Sequence, residues 1–223
     1  EFSPDGKLIA FWSTKGDDGG PSSQEPNRIW VMHSDGSNHR VLKNGTPDKK
    51  YPSWHPDGSK LIASGIEAVG DIYEIWNIHL DGSEPTSLEA EGLDPDWHPD
   101  GTQFIVGTTS VFNGLKINYL DGSGPTNLGA EGAEPKWSPD GTKIAFVRFP
   151  DIWVMNSDGS NATDVTGSNC SNATSCRSPS WSPDGTRIVF QRTNGIHITN
   201  SDGTNMIQIS TSGMNPHWGP AAP

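Results

Sequence analysis

The chain has 223 residues, 31% of them hydrophobic, with 26 Gly, 18 Pro, nine Trp and a net charge of −12. Nine bulky indoles exclude a disordered chain, which lacks apolar groups to bury, and no apolar run approaches the roughly 18 residues of a membrane-spanning helix. So acidic a surface repels phosphate, which argues against nucleic acid and anionic membranes as partners and leaves cations, basic proteins and neutral sugars open.

The chain opens inside a motif, "FSPDG" (2–6), followed by an apolar run "LIAF" (8–11), a long polar stretch "STKGDDGGPSSQEPN" (13–27), "IWVMHSDGS" (29–37) and "HRVL" (39–42). The same four parts then return. The second unit has "YPSWHPDG" (51–58), "LIAS" (61–64), "IWNIHLDGS" (75–83) and "PTSL" (85–88). The third has "DPDWHPDG" (94–101), "FIVG" (104–107), "LKINYLDGS" (115–123) and "PTNL" (125–128). The fourth has "EPKWSPDG" (134–141), "IAFV" (144–147), "IWVMNSDGS" (152–160) and "ATDV" (162–165). The fifth has "SPSWSPDG" (178–185), "IVFQ" (188–191), "IHITNSDGT" (196–204) and "MIQI" (206–209). At the far end "NPHWGP" (215–220) begins the motif once more.

A period near 40 residues signals a propeller or a solenoid. Within each unit the physical roles separate. The proline two residues before each Trp cannot donate to a ladder and belongs on an edge strand. In S/H-P-D-G, proline presets φ, Asp favours the third turn position and Gly takes the left-handed fourth, so these aspartates are structural. The next run is apolar on successive residues and is buried on both faces. The third alternates and ends in Asp-Gly, a strong hairpin signal. The fourth, short and polar, is an outer edge protected from edge-to-edge pairing. Four antiparallel strands repeated radially make a β-propeller blade.

We therefore expect an all-β fold: a five-bladed β-propeller of four-stranded antiparallel blades, a single domain over 1–223. Its blades are about 214–219 plus 7–42, then 51–88, 94–128, 134–165 and 178–209. Phe2 has only Glu1 before it, so the C-terminal strand is expected to pair into the first blade and close the ring. An excerpt of a larger ring would instead leave an unpaired, aggregation-prone edge. Each aromatic is expected to wedge between adjacent blades, at roughly 2–3 kcal/mol per buried Trp.

The pattern P-x-W-[SH]-P-D-G-x-x-I-A-F followed by I-W-V-M-x-x-D-G resembles the WD40-like repeats of the TolB family, over essentially the whole chain. The resemblance implies a propeller fold and an interaction role. TolB itself is a periplasmic interaction protein with six blades and an extra domain, neither evident here. Similar repeats occur in secreted and surface proteins, in peptidase propeller domains and in oligogalacturonate lyases, and no catalytic motif of those enzymes finds a match in this chain.

Turns within hairpins one–two and three–four are short and uniform; the two–three and four–one connections vary and share the other end. Irregular loops on a rigid scaffold are where function concentrates. The expected ligand-binding residues at that channel mouth are Tyr51, Asp94, Asp96, Glu134, Lys136 and His217. Asp94, Asp96 and Glu134, from neighbouring blades, are the candidate ligands of a hard cation such as Ca²⁺, which takes six to eight oxygens; the alternative is a solvated acidic rim with Lys136 paired to Asp96. No other cofactor is implied. His55 and His98 share one register after Trp and are candidates to share a metal; Ser138 and Ser182 fill the register elsewhere, which points instead to a hydrogen-bonding structural slot. His33 and His79 share another register near the opposite turn.

Cys170 and Cys176 are close enough in sequence to form a disulfide, which suits an oxidising compartment. Asn44, Asn161, Asn169 and Asn172 lie in glycosylation sequons. The reading is a non-catalytic, monomeric, extracytoplasmic (periplasmic or secreted) binding or scaffold module for a protein or glycan, with no nucleic acid and no membrane insertion. The alternatives are a lectin, in which Trp12 and Tyr51 stack on sugar, or a lyase-like carbohydrate-active enzyme using the acidic mouth around Asp94 and Glu134.

Overall fold

The computed structural model describes residues 1–14, 27–43, 48–66, 73–107, 114–171 and 174–219. Most of the 13–27 loop and two sequon asparagines, Asn44 and Asn172, fall outside the described residues.

Nearly all regular structure is strand. The first sheet holds β1 (Leu8–Ser13), β2 (Arg28–His33) and β3 (Arg40–Val41). The second holds β4 (Lys49–Trp54), β5 (Lys60–Ile66), β6 (Tyr73–His79) and β7 (Thr86–Glu91). The third holds β8 (Leu93–Trp97), β9 (Gln103–Gly107), β10 (Lys116–Tyr119) and β11 (Thr126–Asn127). The fourth holds β12 (Ala133–Trp137), β13 (Lys143–Arg148), β14 (Asp151–Asn156) and β15 (Thr163–Asp164). The fifth holds β16 (Cys176–Trp181), β17 (Arg187–Arg192), β18 (Gly195–Asn200) and β19 (Ile207–Ser210). Each sheet follows chain order, the blade pattern of a five-bladed β-propeller. One 3-10 turn, Gly167–Asn169, is the only helical element among the described residues. The chain divides into two compact units, Glu1–Trp97 and His98–Pro223.

Local chemistry explains the hairpins. In the first turn of the second blade, Asp57 Oδ1 accepts from the Ser59 amide at 2.8 Å and the Ser59 hydroxyl at 2.6 Å. Gly58 closes the turn at φ 73°, a left-handed value that glycine adopts without steric cost. The second turn repeats the device: Asp81 accepts from the Ser83 amide and hydroxyl at 2.9 and 2.7 Å. His98 illustrates the slot after Trp: its Nδ1 accepts from the Asp100 amide at 3.2 Å and its ring stands edge-on to Trp137 at 4.7 Å. His55 does the same with the Asp57 amide and Trp97. In the serine blades, Ser138 and Ser182 bridge the turn, accepting from the Lys143 and Arg187 amides and donating to Asp140 and Asp184.

The core lies between blades. In the first unit Trp54 packs with Ala10, Ile29 and Val31 of the first blade and Leu61, Ala63 and Ile78 of the second. In the second unit Trp137 packs with Ile105, Leu115 and Ile117 of the third blade and Ile144 and Phe146 of the fourth. Trp181 likewise joins Ala145, Ile152 and Val154 of the fourth to Ile188 and Phe190 of the fifth. All three indoles are buried.

In the first unit, residues 1–3 pair with β1. The Glu1 amino group donates to Ala10 O at 2.7 Å, the Ala10 amide donates to Glu1 O at 2.8 Å, and the Ser3 amide donates to Leu8 O at 2.8 Å. Phe2 bridges Ile9. The inner edge of β1 is therefore occupied by residues 1–3. Among the described residues no ladder includes 214–219. That segment hydrogen-bonds to the fifth blade: the Trp218 amide donates to Ser180 Oγ at 3.3 Å, as the Trp97 amide does to Ser53 Oγ in the first unit. Arg187 covers the Trp218 ring at 5.0 Å, as Lys60 covers Trp97 at 5.5 Å. The tail thus meets the fifth blade as an inner strand meets the blade before it.

Two outcomes are expected. Trp181→Ala removes an indole from the shared core and should cost about 3–5 kcal/mol in chemical denaturation; a loss below about 1 kcal/mol would refute the wedge. Ten turn aspartates have carboxyls held below the ordinary value of 3.8, Asp57 and Asp184 at about 2 through the Ser59 and Ser182 hydroxyls. A depressed folded pKa contributes stability above the unfolded value that is lost as pH falls through the folded one. The urea midpoint should therefore drop between about pH 4 and pH 2, and a flat midpoint there would contradict it.

Candidate functional site

The proline two residues before each Trp leaves its mark on the backbone. The β4–β5, β12–β13 and β16–β17 ladders each slip register immediately around it, between Lys50 and Ser53, Ala133 and Lys136, and Arg177 and Ser180. Lacking an N–H, proline cannot sustain a regular ladder, and a bulge absorbs the extra residue. The residue before each proline turns left-handed: Tyr51 (φ 56°), Asp94 (48°), Glu134 (51°), Ser178 (53°) and Asn215 (49°). Non-glycine residues in this region cost on the order of 1–3 kcal/mol each, and such strain concentrates at functional sites.

These positions lie at the start of inner strands, on the end shared by the two–three and four–one connections. In the second unit the bulge aims one blade's side chain at the next blade. The Ser178 amide donates to Glu134 Oε2 at 2.5 Å, Ser178 Oγ donates to Asn215 Oδ1 at 3.0 Å, and the Asn215 amide donates to Gln191 Oε1 at 3.0 Å. Arg177 stands 3.5 Å from Glu134. The result is a continuous polar rim, Glu134–Ser178–Asn215. Lys136 contributes its carbonyl to the Trp181 indole N–H at 3.0 Å, and His217 is exposed.

The first unit has a different rim. Tyr51 and Trp12, each 40% exposed, meet edge to face at 6.1 Å, and Lys50 lies 5.5 Å from the Trp12 ring. Asp96 is buried and accepts from Ser53 Oγ at 3.4 Å. Among the described residues no group of three or more His, Cys, Asp or Glu side chains is placed to hold a metal ion.

Some features of this end were not singled out from sequence. Asp151 and Asp164 both accept from Thr166 Oγ1 at 3.2 Å; burial, then the Asp164 charge, raise the Asp151 pKa. Burial, then the Arg192 charge, lower that of His197. Lys50 and Arg177 share the register four residues before Trp, and a scan of that register alongside the two nearer ones would have found them. Arg192 has no such signal, because only the fold brings it beside Arg177.

Cys170 and Cys176 are joined by a disulfide, with Cα atoms 5.8 Å apart, inside the core that holds Trp181. It ties the 3-10 turn to the first residue of β16. Closing so short a loop is worth about 2 kcal/mol. The Cys170→Ser, Cys176→Ser double variant should lose about that amount in chemical denaturation, and an unchanged midpoint would show that the link restrains nothing.

Residues 19–222 match the family described as TolB beta propeller domain. TolB from Acinetobacter baumannii superposes with a TM-score of 0.75 at 20% identity, over 99% of this chain and 56% of that one. A TolB-assigned protein from Agrobacterium tumefaciens gives 0.77 at 21%, over 99% and 84%. An oligogalacturonate lyase in complex with manganese gives 0.59 at 18%, over 94% and 63%. No curated protein matches the sequence.

Proposed function

The chain belongs to the TolB β-propeller domain family, and from that premise we propose a non-catalytic, extracytoplasmic binding module whose ligand, a protein or a glycan, docks across the variable-loop end. The coarse role, a binding or scaffold propeller, follows from the family. The finer reading rests on one observation. The strained left-handed residues Glu134, Ser178 and Asn215 recur at one register and link neighbouring blades at the loop end. A rim so fixed is preorganised for a partner, which limits the ordering cost of association. The further contact residues in this proposal are Lys136 and His217 in the second unit and Tyr51 and Asp94 in the first; Asp96, expected among them from sequence, is buried. The buried disulfide supports an oxidising, extracytoplasmic setting. No helix among the described residues is long and apolar enough to cross a membrane.

A glycan ligand has its own support in the Trp12–Tyr51 pair with Lys50 above it: exposed aromatic faces are stacking platforms with a polar surround. The likeness to the lyase is one of fold and adds no reaction to this reading.

The test is site-specific photo-cross-linking in the native host compartment, with the probe at Tyr51 or His217 and, as control, at Ser83 in a uniform turn of the other end. Adducts from the first two positions and none from Ser83 are expected; adducts only from Ser83, or equal yields from all three, would overturn the docking face. A glycan array decides the second reading: binding that Tyr51→Ala abolishes supports it, and a blank array removes it.

A further inference from the structure

We propose that the fifth blade carries a pocket for the carboxylate of a polypeptide ligand, with Arg192 and Arg177 as its anion-binding side chains. This deepens the protein-ligand form of the function above and rests on it.

A cavity of about 430 Å³ opens where the β17–β18 turn and the chain after β19 meet the start of β16; Arg177, Gln191, Arg192, Thr193, Thr211 and Ser212 line it. That volume lies within the usual range for ligand pockets. Its described lining includes two arginines and no Asp or Glu, in a chain whose acidic residues outnumber its basic ones by 27 to 15. The Arg192 Nε is buried and has no hydrogen-bond partner among the described residues. Leaving a buried donor unpaired is costly, and a carboxylate satisfies the guanidinium fork in a bidentate way. Arg177 is only loosely engaged, 3.5 Å from Glu134.

The frame is fixed in advance. Cys176 pairs across the ladder with Arg192 and is held by the disulfide. Gln208 Nε2 donates to Asn194 O at 2.6 Å, and Gln191 Oε1 accepts from the Asn215 amide. Beside the arginines lie two exposed apolar side chains. Met214, 77% exposed, lines the pocket, and the Phe149 ring, 55% exposed, has the Arg177 guanidinium 5.8 Å from its centre. Exposed Met and Phe next to Arg are the residue types enriched in protein interfaces. They favour a peptide whose acidic residue is flanked by apolar ones over a free anion or a sugar acid.

The experiment is an NMR titration of the full chain with two capped tripeptides, acetyl-Leu-Glu-Leu-amide and acetyl-Leu-Gln-Leu-amide, and separately with inorganic phosphate and with galacturonate. The Glu peptide is expected to shift the Arg192 Nε–H and Gln191 side-chain amide resonances saturably and to bind about tenfold more tightly than the Gln peptide. Arg192→Gln should abolish the difference, and Arg177→Gln should reduce it. Equal binding of the two peptides overturns the proposal, as does tighter binding of phosphate or galacturonate. Should Arg192→Gln fail to fold, the wild-type comparison still decides. Cross-linking from Tyr51 and His217 reports the docking face whether or not the pocket takes a carboxylate, so the two readings fail separately.

Discussion

The indole that ends each inner strand is the contact on which the other features depend. Trp54, Trp137 and Trp181 each lie in a core shared by two neighbouring blades, so no blade completes its own interior. The second strands must then be apolar on both faces, as β13 is, with four consecutive buried residues. The turn after each Trp must be tight, because the chain reverses at once to pair with that second strand. Pro-Asp-Gly, with the aspartate bonded to the Ser or Thr two residues on, supplies such a turn. In three blades the proline before Trp coincides with a bulge, and in the second unit the bulge turns the preceding residue toward the next blade. The rim Glu134–Ser178–Asn215 is thus the outer consequence of the packing that seats the indoles.

The charge of the molecule is distributed by the same logic. Much of its acid is confined to the uniform turns, where hydroxyl and amide donors stabilise the carboxylates. Those turns lie at the opposite end from the variable loops. In the second unit the loop end has its own acids, Glu134, Asp151 and Asp164, but it also holds Arg177 and Arg192. A net charge of −12 therefore says little about the sign of the surface a ligand meets.

What the sequence made legible was what local chemistry decides. Turn residues, strand periodicity and a fixed repeat are read within ten residues of one another, and they yield the blades and their order. The side-chain registers at the loop end were also readable, because a bulge preserves the count of residues before Trp. What escaped was set by contacts distant in sequence. The left-handed turn of Tyr51 and Glu134 was invisible because neither residue favours it and only the ladder imposes it. Arg192 joins Arg177 through strand pairing across a hairpin, with no shared motif to announce it.

Hydrogen exchange under mildly denaturing conditions tests most directly whether a shared indole makes neighbouring blades one cooperative unit. The amides of β13 and β17, which flank Trp181, should lose protection together and with the same denaturant dependence. If β17 exchanges through a separate, lower-energy opening while β13 stays protected, the blades are stable individually and the account of the fold given above is wrong.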